Sequence, residues 1–396
     1  MGLSRRLAAH AVRGATVLLV EAPGCWQVRA GLERAVLERG WSLAMSPADA
    51  DALVVCGRPG ERLTAAVEAV WQQMPGPRAR ADVADADVVG ALDGVEAALL
   101  DQDGQRADAR MRQQEPSAHR DDSGDTGDTD TGDTDTGDMD TGDMGDMDMD
   151  MAPDGIDLAG GFDGDRDGLE MDVLHISLGP VLPAWPAGVV LRATLSGDVL
   201  VDAEVELLDD ALPAVEGPGR VARADCGKPE ATAARGCDRA AALLGLAGAH
   251  DLAAGLLCVR DDLLAGAAPQ QVCPQLERLT RTVGRSRLLR WSLRGLGPLD
   301  AAALERHALP AGLGGDVHDR LVATLEGAVD LLRRVGAPGS HAADAPGRGR
   351  EDPGVAERVR DAVPALVAGY ELAAARLVLA SLPLEPITDH APAAVR

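Results

Sequence analysis

A long acidic, low-complexity tract divides this 396-residue chain into two halves, and it limits where folded domains can lie. From Asp121 to Asp172 the chain holds 20 acidic residues and one basic residue, a net charge of −19 out of −26 overall. Its near-repeats, such as GDTDT and GDMDT, offer no core-forming side chain apart from methionine. Such a segment cannot bury enough apolar surface to offset the entropy of ordering. We therefore predict a disordered acidic linker over residues 101–170.

The composition outside this tract narrows the class of protein. The remainder carries a net charge of only −7, which disfavours general nucleic-acid binding. Apolar residues make up 46% of the chain but aromatic residues only 2%, so the cores must consist mainly of Leu, Val and Ala. None of the six cysteines belongs to a CxxC pair, and no leader pattern or membrane-spanning apolar run is visible. These features favour a reducing, cytoplasmic location.

The first hundred residues alternate between strand and helix patterns. The runs ATVLLVEA (15–22) and DALVVCG (51–57) are typical of buried strands, and helical patterns follow over residues 27–39 and 61–74. This alternation predicts a short parallel sheet with helical crossovers. We expect a flavodoxin-like α/β domain over residues 1–100.

The second half begins with strand patterns and continues with helical ones. Alternating runs over Val173–Leu178, Val189–Thr194 and Val199–Leu207 predict three antiparallel strands, the last two joined by a turn at Ser196-Gly197-Asp198. Helical patterns follow over residues 231–248, 252–264, 276–293, 317–335 and 355–382. We expect an α+β domain over residues 171–396, with a small hairpin sheet at 171–208 and a helical bundle at 231–382.

The N-terminal segment resembles a known family of redox proteins. GCWQVRAGLERAVLERGWSLAMSPADADALVVCG, followed by LTAAVEAVWQQMPGPR, is similar to the small iron–sulfur subunit shared by respiratory complex I and nickel–iron hydrogenases. The resemblance implies a four-iron cluster on four cysteine thiolates. Only Cys25 stands at a matching place, because Trp26 and Gln27 occupy positions where further ligands would be expected. Cys56, inside an apolar run, is interpreted as a small core residue. We expect no iron–sulfur cluster, with Cys25 as the candidate cofactor-binding residue of this segment.

The start of the second half resembles the large, hydrogenase-like subunit of complex I. That family opens with GPxHPxxHG, and here the corresponding run is GPVLPAWPAG, from Gly179 to Gly188. In the family the two histidines line a quinone pocket. Here Leu182 takes the first place and Pro186 or Ala187 the second, and such side chains can neither donate to a quinone oxygen nor carry a proton. His175, just upstream, is the remaining candidate, although its place in the strand is wrong for that role.

A basic segment later in the chain, LERLTRTVGRSRLLRWSLRGLG, resembles a helix of the same large subunit. One interpretation is a solvated face with an apolar stripe through Leu279, Val283 and Trp291. The other is a docking surface for an acidic partner, including this chain's own tract. The candidate interaction residues are Arg278, Arg281, Arg285 and Arg290.

The acidic tract leaves four interpretations open. Asp163, Asp165 and Asp167 match the start of a calcium-binding loop, but the twelfth position is Leu174 where a bidentate Glu is needed. Methionine thioethers suit Cu(I), and Met139, Met144, Met147, Met149 and Met151 could supply them. The tract could also act as an electrostatic tether to a basic face, or as a passive linker.

Retained framework residues beside missing ligands lead to one main hypothesis. The chain is expected to be a fused, non-catalytic accessory or assembly protein related to complex I or hydrogenase subunits, without a cofactor. Its expected partners are other subunits of such a complex, without nucleic acid and with membrane contact only through those partners. The expected location is the cytoplasm, with the inner face of the membrane as a further option. The alternatives are an NADH/quinone-linked oxidoreductase subunit completed by partners, and an acidic cation-binding or interaction module.

Overall fold

A computed structural model describes residues 3–84, 87–114, 173–208, 228–336 and 354–385. The proposed calcium ligands Asp163, Asp165 and Asp167, the five methionines of the acidic tract, and Cys226 lie outside these residues.

Residues 3–114 form a parallel sheet with helices, as the sequence predicts. The elements are α1 (Leu3–Ala11), β1 (Thr16–Glu21), α2 (Trp26–Glu38), β2 (Ser42–Leu43), β3 (Ala52–Cys56), α3 (Glu61–Gln73), β4 (Ala79–Val83), α4 (Val88–Leu100) and α5 (Gln102–Gln114). The strand order is β2-β1-β3-β4, and every neighbouring pair is parallel.

Both faces of this sheet are covered. Val54 on β3 packs in one cluster with Leu32 of α2 and Leu92 of α4. The next residue, Val55, points to the opposite face and packs in a second cluster with Leu63 of α3. Because β3 is buried on both sides, its sequence is a continuous apolar run rather than an alternating one.

Helix α5 lies within the range that the sequence assigned to the linker. It is attached to the sheet by the buried Arg78, whose Nη2 lies 3.0 Å from Asp108 Oδ1. The backbone N–H of Arg78 also donates to Gln105 Oε1 at 2.9 Å. Ionic and polar contacts attach α5 to the sheet, and its sequence has little apolar periodicity. The sequence pattern therefore gave no sign of this helix.

The second half contains a three-stranded antiparallel sheet and a helical region, both as predicted. The strands are β5 (Val173–Leu178), β6 (Val189–Ser196) and β7 (Val199–Leu207), paired in the order β5-β6-β7. The helices are α6 (Pro229–Leu246), α7 (His250–Leu264), α8 (Pro269–Arg285), α9 (Arg287–Leu293), α10 (Ala301–Arg306), α11 (Val317–Gly336), α12 (Val355–Val367) and α13 (Leu372–Ala380).

Two helices predicted as continuous are each split into two. The first break is at Ser286, whose hydroxyl accepts from the N–H of Leu289 and caps α9. The second is at Gly369, which has a φ of +80° and whose N–H donates to the carbonyl of Leu200 on β7 at 2.8 Å. The break at Ser286 redirects the chain, and Trp291, which one interpretation of the sequence placed in an apolar stripe with Leu279 and Val283, is 81% exposed.

None of the described helices combines the length and the apolar composition needed to cross a lipid bilayer.

Candidate functional site

Two loops from opposite halves of the chain meet at the carboxyl end of the parallel sheet. The Cys25 loop (residues 22–26) follows β1, and the Gly–Pro loop (residues 179–188) joins β5 to β6. Gly188 has a φ of +70°, and a Cβ there would lie 2.7 Å from Cγ of Pro23. Val181 packs against the same cluster as Cys25. The Cys25 loop and the Gly–Pro loop are therefore in direct contact.

Cys25 lies at the start of α2, where a second loop approaches it closely. Gly57 follows β3 with a φ of +94°, and a Cβ at Gly57 would lie 2.9 Å from that of Cys25. Cys56 is fully buried at the end of β3, paired in register with Glu21, and burial raises the pKa of its thiol well above the ordinary value. Neither cysteine forms a disulfide. The site thus offers one partly exposed thiol and one buried thiol that stays protonated.

Trp26 connects the Cys25 loop to the second half of the chain. Its side chain is buried and belongs, together with Ala30, to the large core built by the antiparallel sheet and helices α6–α13. The Trp26 side chain therefore packs between the two domains.

An interdomain charge cluster lies beside these loops; it consists of Glu21, Arg29, Glu33, Asp238 and Arg260. The Arg29 guanidinium on α2 pairs with Glu21 Oε2 at 2.5 Å, with Glu33, and with Asp238 Oδ2 on α6 at 2.6 Å. The Arg260 guanidinium on α7 pairs with Glu33 Oε2 at 2.6 Å and with Asp238 Oδ1 at 2.7 Å. Asp238 therefore bridges two arginines, one from each domain.

The carboxyl groups of this cluster have different environments. Burial opposes ionisation of Asp238, but Arg29 and Arg260 outweigh it and hold its pKa below the ordinary value. Burial raises the pKa of Glu21 to about 8, with Glu385 and Asp238 adding to the effect against the opposing influence of Arg29. Glu21 Oε1 is buried and has no hydrogen-bond partner among the described residues. Burial thus raises the pKa of Glu21, whereas the two arginines lower that of Asp238.

The Gly–Pro loop is held in place by the chain's own polar groups. The N–H of Ala187 donates to Glu385 Oε1 at 3.2 Å, and Glu385 also pairs with Arg235 at 3.0 Å. Arg376 donates to the carbonyl of Pro183 at 3.2 Å, and the indole N–H of Trp185 donates to the carbonyl of Val189 at 2.7 Å. These contacts hold the loop with the apolar residues Leu182, Pro186 and Ala187 in it.

His175 lies elsewhere, on the exposed face of the antiparallel sheet. Its Nδ1 is 3.1 Å from the hydroxyl of Thr194 on β6. It lines a shallow surface groove with Arg192, Asp202 and Glu204, and the groove is formed by residues of this sheet alone. The structure therefore does not bring His175 together with Cys25.

The four arginines that the sequence singled out, Arg278, Arg281, Arg285 and Arg290, are exposed on α8 and α9. Within the described ranges, no three or more His, Cys, Asp or Glu side chains are grouped so that they could hold a metal ion.

Sequence reasoning missed the charge cluster. Its members come from α2, α6, α7 and the end of β1, and Arg29 and Asp238 are 209 residues apart. The one visible signal was an acidic residue, Glu21, closing an otherwise apolar strand.

Comparison of the sequence with models of known protein families finds no match, and comparison with curated proteins finds no match either.

Proposed function

We propose that the chain is a single-chain, non-catalytic relative of the small and large subunits of complex I or nickel–iron hydrogenases, acting as an accessory or assembly protein. The contact between the Cys25 loop and the Gly–Pro loop carries the proposal, because the family resemblance lies in these two segments. The strand order β2-β1-β3-β4 supports a flavodoxin-like sheet for the first domain.

The side chains at this contact favour adhesion over electron transfer. Trp26 is buried in the core of the opposite domain, and Leu182 and Pro186 have no group that can donate to a quinone. Arg29, Glu33, Asp238 and Arg260 join the two domains through paired charges. Such a protein would present a fixed pair of domains to partner subunits, in the cytoplasm or at the inner face of the membrane through those partners.

Two measurements on the full chain test this proposal. Anaerobic purification followed by iron and sulfide analysis and electron paramagnetic resonance should give no four-iron signal. Affinity purification from the source cells, with identification by mass spectrometry, should recover subunits of a respiratory or hydrogenase-like complex. A stoichiometric four-iron cluster, or a tagged chain that recovers no such subunit, would refute the proposal.

One observation favours a second candidate, an NADH/quinone-linked oxidoreductase subunit completed by partners. Glu21 is a buried carboxyl group with a raised pKa beside the Cys25 loop, and one of its oxygens has no partner among the described residues. Such a group can deliver or accept a proton near neutral pH. If this candidate holds, a reconstituted complex should lose quinone-dependent turnover with Glu21→Gln and keep it with His175→Ala. A complex without quinone turnover, or one indifferent to Glu21→Gln, would exclude it.

A further inference from the structure

Helices α8 and α9 present a basic surface whose arginines form no ion pair with a carboxylate among the described residues. We name it the α8–α9 surface; it consists of Arg278, Arg281, Arg285, Arg287, Leu288, Arg290, Trp291 and Arg294. All six arginines are exposed, and none lies within ion-pair distance of a carboxylate that the structure describes. By contrast, other surface arginines such as Arg34, Arg62 and Arg80 each pair with a nearby glutamate. In a chain with a net charge of −26, six unpaired arginines indicate a surface that binds an anionic group.

The same surface exposes two large apolar side chains. Leu288 is 71% and Trp291 81% exposed, the highest values for large hydrophobic residues in the described part of the chain. They are three positions apart and therefore neighbours on one face of α9. The helix itself is well anchored, because Leu289 and Leu293 on its other face are buried in the main core. The exposed pair is thus a fixed apolar feature of a packed helix, next to the arginines of the same surface.

We propose that the α8–α9 surface binds the chain's own acidic tract, at residues 138–151. This segment reads DMDTGDMGDMDMDM, with six aspartates and five methionines. Its aspartates can pair with the six arginines, and methionine thioethers make favourable contacts with aromatic rings such as that of Trp291. The occupant therefore matches the surface in charge and in apolar character.

The connection through the chain favours this occupant over an external one. Residues 115–172 separate α5 from β5, and 58 extended residues can span up to about 200 Å. Covalent attachment gives the tract an effective concentration of roughly millimolar order at such a surface. An acidic partner, a second copy of the chain or an anionic membrane would have to displace it.

A photochemical cross-link in the full chain tests the proposal. Trp291→p-benzoylphenylalanine places a benzophenone on the exposed face, and benzophenone inserts readily into the C–H bonds of methionine. Irradiation should join residue 291 to peptides containing residues 138–151, in a product that migrates as a monomer. The yield should fall severalfold between about 0.01 M and about 1 M salt, as the Debye length shrinks from about 30 to about 3 Å. It should fall similarly at low salt when Arg287, Arg290 and Arg294 are changed to Gln.

A matched probe controls for chance encounters with the tract. Val89 lies on α4 and is 62% exposed. The variant Val89→p-benzoylphenylalanine should give no adduct with residues 138–151. Equal adducts from both probes, no adduct from residue 291, or adducts only in a dimer would each refute the proposal. Co-sedimentation of the chain with anionic vesicles at low salt, together with loss of the adduct when the vesicles are added, would also refute it. None of these results bears on the proposed accessory function.

Discussion

Arg29 on α2 and Asp238 on α6 are 209 residues apart in sequence, yet Arg29 Nη2 lies 2.6 Å from Asp238 Oδ2. The same aspartate accepts from Arg260, so one carboxylate neutralises guanidinium groups of both domains. Removing one member of such a buried set leaves its partners charged and unpaired, which costs far more than losing a surface ion pair.

The first prediction concerns this aspartate. Asp238→Asn keeps the shape of the side chain but removes the charge that Arg29 and Arg260 share, so it should lower the free energy of unfolding by about 3–5 kcal/mol. Urea denaturation followed by circular dichroism measures it. Glu38→Gln, which removes an exposed pair with Arg34, is the control and should cost less than about 1 kcal/mol. Equal effects of the two variants would argue against a shared buried anion.

The second prediction is a pH dependence set by Glu21. Its pKa is about 8 in the folded chain and near 4.5 when the chain is unfolded. Between these values the folded state holds a proton that the unfolded state has released, so stability from this group is full below pH 4.5 and falls as the pH rises towards 8. Glu21→Gln should therefore gain stability relative to wild type by at most about 1.4 kcal/mol per pH unit across this window. Urea titrations at pH 5, 6, 7 and 8 provide the comparison; parallel curves for the two proteins would show that Glu21 is ionised in the folded chain.

The third prediction tests the close approach at Gly57. Gly57→Ala introduces a Cβ 2.9 Å from that of Cys25 at a φ of +94°, so it should destabilise the domain by at least about 1–2 kcal/mol. It should also displace the Cys25 loop and change the alkylation rate of Cys25, read by mass spectrometry against the exposed Cys258.

A second glycine serves as the control for that variant. Gly94 lies in α4 with open space around its Cα, so Gly94→Ala should stabilise the chain by about 0.5–1 kcal/mol and leave Cys25 alkylation unchanged. An unchanged alkylation rate in Gly57→Ala would mean that Gly57 does not position the loop.

The fourth prediction compares two tryptophans. Trp26→Ala removes a buried ring that packs in the core of the second domain and should cost about 3–5 kcal/mol. Trp291→Ala removes an exposed ring and should change stability by no more than about 0.5 kcal/mol. Both values come from urea denaturation of the full chain. Comparable losses would mean that Trp291, like Trp26, packs into a folded core.

Local patterns in the sequence were sufficient to predict the antiparallel sheet, two of the four strands of the parallel sheet and most of the described helices. The apolar runs at 15–22 and 51–57 became β1 and β3, and Gly197, with a φ of +62°, forms the turn between β6 and β7. These strands and this turn depend on residues close together in the sequence. Hydrophobic periodicity and turn residues therefore predict them.

Contacts between distant segments were not predictable in the same way. The break at Gly369 occurs because its N–H pairs with Leu200 on β7, and α5 forms where Arg78 finds Asp108. The charge cluster depends on four elements meeting in space, so no spacing along the chain could indicate it. The resemblance singled out the two loops at the site, but not the ion pairs that hold their domains together.

The burial of Trp26 in the opposite domain and the sharing of Asp238 between α2 and α7 have a consequence for the joint between the halves. A protease cut anywhere within residues 115–172 would leave this adhesion intact, and the two fragments should elute together as a heterodimer. Expressed from two separate genes, the halves would find one another through the same contacts.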